Sequence, residues 1–168
     1  MTRRYIQFCG LLMLVFVAGI ATGRAQSRPD ATLPGYLHYT PGDLDAIQRS
    51  LVPQVNALKQ AATQLADFGN HTAWVAYRGA DGLMEIHEDW ADLMFVYAGE
   101  ATLLLGGTIP DARTDAPGEI RGSTAVGGVR RVIRAGDVVQ VPAGMPHQFL
   151  VAPGAQITFF TMKIARAQ

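Results

Sequence analysis

The apolar and polar positions divide the chain into two textures. Between Thr40 and Asn70, the residues Leu44, Ile47, Leu51, Val55, Leu58 and Leu65 recur largely at three- and four-residue steps, which marks one face of a helix. Thr40 supplies a capping side chain, Pro41 suits the first helical turn, and Asp43 offers an acidic third position. Pro53 is expected to kink this segment or split it into two helices, and Gly69-Asn70 to end it. The stripe must cover something, either the wall of the following domain or a partner subunit.

From His71 onward the pattern changes to short runs of β-branched and aromatic residues punctuated by Gly and Pro. Strands are expected at 72–78, 83–87, 93–97, 101–105, 129–134, 138–141, 148–151 and 156–164. That many short strands at this spacing imply an all-β sandwich or barrel. One long interruption, 106–128, is rich in Gly, Pro, Thr and Asp and reads as a functional flap or a surface excursion. If it is a flap, Glu119 and Arg121 are its substrate-facing pair. There is no internal repeat.

Residues 1–25 have the features of an export signal. Arg3 and Arg4 form a cationic start, Phe8 to Ile20 is apolar, and Gly23-Arg24-Ala25 offers small residues for cleavage. The apolar run is shorter than the roughly 20 residues a bilayer span needs, so no stable membrane anchor is expected after cleavage. Ordinary unfolded export is expected over a twin-arginine route, because Ile6-Gln7-Phe8 follows the arginine pair poorly. The protein is expected to be periplasmic or secreted. Residues 26–69 then form a leader and helical segment, and 70–168 the β domain.

Cleavage would remove Cys9, the only cysteine, so the mature fold must be held by its own core, for which about 143 residues suffice. Without Arg3, Arg4 and Arg24 there remain 11 basic against 14 acidic residues, a net −3. No basic field is left to attract phosphate backbones, and nucleic acid is not an expected partner.

The most informative stretch runs from Gly136 through Val138-Val-Gln-Val141, Pro142 and Gly144 to His147. It reads as a turn, a buried strand, a tight Pro/Gly corner, and a histidine whose backbone is fixed on both sides, as a metal ligand requires. Upstream, Glu85 and His87 stand two apart on an expected strand and project to the same face, opposite Ile86. Two imidazoles and one carboxylate on one face of a metal leave coordination positions open and suit Fe(II), Mn(II) or related ions. The bland alternatives are a structural His147 hydrogen-bonded under the corner, and a solvent-facing Glu85/His87 pair on an edge strand.

The stretch 136–147 resembles the second motif of the cupin superfamily, matching its Gly, Pro, Gly and His at every spacing, with Val151 in place of the terminal Asn. A partial first motif is present in Gly79, Glu85, His87, Asp92 and Gly99, where Glu85 replaces the first histidine and Asp92 the usual Glu. The resemblance covers residues 79–151. It implies a cupin double-stranded β-helix, or jelly-roll, barrel preceded by a helical segment. It also implies one divalent metal ion, Fe, Mn, Zn or Ni, with Glu85, His87, Asp92 and His147 as candidate ligands. Asp92 is one methylene shorter than Glu, so it is a fourth ligand or else an outer hydrogen-bonding partner or general base.

His38 and His71 read as surface residues, and Arg130, Arg131 and Arg134 as a solvated strand face. Alternation from His147 points Phe149 inward. Two functions follow. One is a metal-dependent enzyme acting on a small molecule, an oxygenase or an isomerase/lyase in which Asp92 or Glu85 moves a proton. The other is a non-catalytic ligand-binding or sensing module. Barrel pairing into a homodimer, common in this superfamily, could use the Leu44 to Leu65 stripe.

Overall fold

The computed structural model describes residues 33–167, so the segment expected to be an export signal and the start of the expected leader lie outside the described residues. The described residues form one helix, α1 (Pro41–Leu51), a 3-10 turn (Val52–Gln54) and ten strands. These are β1 (Gln60–Asp67), β2 (His71–Arg78), β3 (Met84–His87), β4 (Trp90–Leu105) and β5 (Arg113–Ala116). They continue with β6 (Glu119–Gly122), β7 (Val129–Arg134), β8 (Val138–Val141), β9 (His147–Leu150) and β10 (Ile157–Ala165). No described helix is long and apolar enough to cross a membrane.

All strand pairs are antiparallel and fall into two sheets joined by β4. The first half of β4 lies between β10 and β8 in a sheet ordered β1-β2-β10-β4-β8. Its second half lies between β7 and β9 in a sheet ordered β7-β4-β9-β3-β6-β5. The crossing point is a bulge: Thr158 pairs with Ala98 and Phe159 with Val96, so Tyr97 is left over and the strand bends. Gly99 follows at φ +76°, where a β-carbon would collide with the carbonyl oxygen of Gln156. Two expected strands, 93–97 and 101–105, are therefore one strand that changes sheets.

The curled pair of sheets encloses a core of Met94, Val96, Leu103, Val141, Phe149 and Phe159 with their neighbours. Helix α1 packs on the outside of the first sheet, burying Ile47 and Leu51 against Val75, Tyr77 and Phe160. Its start is fixed by a reciprocal capping box between Thr40 and Asp43. Of the two occupants expected for the apolar stripe, the barrel's own wall takes these helical positions.

The helical segment ends earlier than expected. Pro53 stops α1 rather than kinking it, and residues 60–67 form β1, paired along its length with β2. The sheet thus begins at Gln60, before the expected boundary at 70. Ala61, Ala62, Leu65 and Ala66 suit a helix on propensity, but an adjacent strand with open hydrogen-bonding groups overrides that preference.

The interruption at 106–128 is also more structured than expected. It contains β5 and β6, which extend the second sheet beyond β3, while Ile109 packs with Met84 and Leu104 on that sheet's outer face.

Candidate metal centre

Alternation along the strands sends one set of side chains into the barrel. Glu85 and His87 come from β3, His147 and Phe149 from β9, and Asp92 and Met94 from β4, all lining one cavity of about 240 Å³. Register does the rest: Glu85 is the direct cross-strand partner of His147, while Arg121 and Glu119 on β6 stand opposite Glu85 and His87.

The corner before β9 is tied to the strand that carries His87. Gly144, at φ +79°, donates its backbone N–H to the carbonyl of His87 at 2.8 Å, and Met145 donates to Pro142. The left-handed backbone at this position suits glycine, which has no β-carbon to crowd it. His147 therefore enters the barrel at a fixed height relative to His87.

The head groups converge. The Nε2 atom of His147 lies 3.4 Å from Asp92 Oδ2 and 3.9 Å from Glu85 Oε2, and Nε2 of His87 lies 3.5 Å and 3.7 Å from the same two atoms. Ligand atoms of Glu85, His87 and His147 all fall within 4.8 Å of one another. Donors about 2.1 Å from a shared ion, separated by 90 to 110°, lie about 3.0 to 3.4 Å apart. The imidazole–carboxylate distances lie within about an ångström of that range, and a separation as wide as 4.8 Å would have to close by more than an ångström to bring the three groups onto one ion.

Hydrogen bonding fixes which nitrogen faces the centre. Nδ1 of His147 donates to the carbonyl of Met145 at 3.0 Å, and Nδ1 of His87 lies 2.6 Å from Glu119 Oε2. A carbonyl can only accept, so His147 carries its proton on Nδ1; an ionised Glu119 imposes the same tautomer on His87. In the neutral imidazoles both Nε2 lone pairs then point at two carboxylates, with no proton to share among the four. All but Glu85 are nearly inaccessible, with His147 2%, His87 5% and Asp92 6% exposed. A divalent cation would resolve that clash of acceptors, so the donor set fits a metal ion.

Both carboxylates are held ionised. In the metal-free protein, burial pushes Glu85 up, but a hydrogen bond from a protonated His87, the charges of Arg78 and Arg121 and that of a protonated His147 outweigh it and hold it well below the usual carboxylate range. Burial also raises Asp92, yet a hydrogen bond from a protonated His147, the charge of Lys163 and those of the protonated imidazoles bring it down to about 2. Lys163 sits 3.0 Å from Asp92 Oδ1, the oxygen that turns away from the imidazoles.

All four candidate ligands, Glu85, His87, Asp92 and His147, thus come together, and Phe149 faces inward as expected. Arg121 lines the cavity as well, and Glu119 stands behind His87, bonded to Arg121 at 2.8 Å. Arg78 and Lys163 were not anticipated. Their signal is a charged residue on the inward phase of an apolar strand, Trp74-Ala76-Arg78 on β2 and Phe159-Thr161-Lys163 on β10. His38 and His71 lie apart from this cavity, and Arg130, Arg131 and Arg134 are exposed.

No family model and no curated protein matches the chain. Solved structures do. A protein with a double-stranded β-helix domain from Klebsiella pneumoniae is similar with 14% identity over 70% of this chain and 85% of its own, at a TM-score of 0.51. The polyketide cyclase RemF of Streptomyces resistomycificus is 16% identical over 64% of this chain, with a TM-score of 0.45. The DMSP lyase DddQ of Ruegeria pomeroyi is 20% identical over 65%, with a TM-score of 0.46. The chain spans 66% and 48% of the lengths of these two enzymes. Topology and the likeness to the Klebsiella pneumoniae protein define the fold: this is a double-stranded β-helix, the fold that the cupin resemblance implies, with a convergent His/carboxylate cluster inside it.

Proposed function

We propose that the chain is an exported cupin that binds one divalent metal ion and acts as a metal-dependent enzyme on a small molecule. One observation carries the reading: both imidazoles give Nδ1 to acceptors and aim Nε2 at Glu85 and Asp92. Glu85, His87 and His147 would hold the ion on one face, and Asp92 would add a fourth donor. When bound, the ion would supply Lewis-acid or redox chemistry at its open positions.

The low proton affinity of both carboxyls bears on their roles. Asp92 and Glu85 are both held below the usual carboxylate range, so both are ionised near neutrality and able to hold a cation. An oxygenase would use the open positions of such an ion, and an isomerase or lyase would add a carboxylate base. Lys163 is placed to donate a hydrogen bond into the cavity. Export rests on the residue pattern at 3–25.

Protein reconstituted anaerobically with Fe(II) or Mn(II), then exposed to air and a small-molecule extract of its host, tests the reading. Metal-dependent consumption of one component is expected, with oxygen for an oxygenase and without it for an isomerase or lyase. Recovery of a bound component unchanged, with the metal in place, would establish the binding module instead.

A further inference from the structure

The charges around the cavity balance before any ion is added. Glu85, Asp92 and Glu119 stand against Arg78, Arg121 and Lys163. With neutral imidazoles these six charges cancel, so a divalent ion leaves an excess of about two positive charges in a poorly solvated pocket, where uncompensated charge is costly. An anionic ligand would remove it.

One of the three cations is loosely engaged. Arg121 holds Glu119 at 2.8 Å and Lys163 holds Asp92 at 3.0 Å, both ordinary charge-assisted contacts. Nη2 of Arg78 sits 3.4 Å from each oxygen of Glu85, longer than an ordinary charge-assisted bond, and both its Nε and its Nη1 are buried with no acceptor. Nη1 lies close to Gly82 and the Gln60 amide nitrogen, neither of which accepts its protons, and the Arg78 side chain lines the cavity. A guanidinium with unpartnered N–H groups is the fork that grips a carboxylate through two parallel bonds. The guanidinium carbon lies 4.8 Å from the ring centre of Phe149, which braces the group from one face. Beyond it, Trp74, Met94 and Phe159 make an apolar wall, and Thr161 adds a buried hydroxyl without a partner.

Resting on the metal reading above, we infer that the ligand of this site is a small organic acid. Its carboxylate docks on the unpartnered N–H groups of the Arg78 guanidinium and its apolar body lies against Trp74 and Phe159. Arg78 is then the specificity residue, selecting the acid over its neutral counterparts.

Calorimetric titration of metal-loaded and metal-free protein with acetate, 2-hydroxypropanoate and 2-hydroxybenzoate, each beside its primary amide, tests this. At least one acid should bind about tenfold or more tighter than its amide, and Arg78→Met should abolish the preference while metal uptake, measured separately, persists. Arg78→Lys should keep only part of it, because a lysine lacks the fork. Equal affinities for acid and amide throughout, no measurable acid binding, or an undiminished preference in Arg78→Met would overturn the inference. Failure of the metal reading shows in the uptake measurement alone, and the acid-to-amide ratio of the metal-free protein still decides the role of Arg78.

Discussion

Nδ1 of His87 and Oε2 of Glu119 are 2.6 Å apart, the tightest polar contact around the candidate centre. Glu119 orients the ring, sets its tautomer and raises the basicity of the nitrogen that faces inward. Glu119→Ala is expected to weaken metal uptake by roughly 10- to 100-fold, while Glu119→Gln, which keeps an accepting oxygen, should lose less. Competition titration against a chelator reads both. Unchanged affinity in Glu119→Ala would show that His87 is not a ligand or needs no such support.

Acid should destabilise the metal-free protein through Asp92. Its value falls from 3.8 in the unfolded chain to about 2 in the fold, so ionisation contributes about 2 kcal/mol above pH 4, lost as pH drops toward 2. Urea midpoints measured between pH 5 and 2.5 should fall in the wild type and fall less steeply in Asp92→Asn. Parallel slopes would remove the Asp92 contacts from the account.

Gly99 combines a left-handed backbone with a position where a β-carbon would strike the Gln156 carbonyl. Neither strain can relax cheaply, since the obstacle is backbone. Gly99→Ala is expected to cost at least about 2 kcal/mol in chemical denaturation. A neutral outcome would mean that the bend of β4 tolerates other geometries.

Leu51 is 2% exposed beneath α1. Leu51→Ala should destabilise by about 2 to 5 kcal/mol in the same assay, yet leave metal stoichiometry intact, because the helix covers the outer face of the sheet and not the cavity. Loss of metal from a folded variant would tie α1 to the site.

The site was legible where local chain geometry sets it. Pro142 and Gly144 announce a corner, His147 follows it, and the two-residue spacing of Glu85 and His87 suffices to aim both inward. What stayed hidden depends on pairing between distant segments. β6 is four residues in a Gly-rich stretch, and only its register against β3 brings Glu119 to His87 and Arg121 to Glu85. β1 is likewise a strand because β2 lies beside it, whereas its own alanines and leucine favour a helix. The bend at Tyr97 and Gly99 reads as a break in the sequence but as continuity in the sheet.

The most direct test is an anaerobic titration with Mn(II) or Fe(II), following bound metal per chain in the wild type, Glu85→Gln and His147→Ala. The wild type should saturate at one ion per chain. Glu85→Gln should bind markedly more weakly, and His147→Ala should bind almost none while keeping its β-sheet signature in circular dichroism. A wild-type protein that takes up no ion, or variants that match its uptake, would contradict the assignment of these side chains to a shared cation.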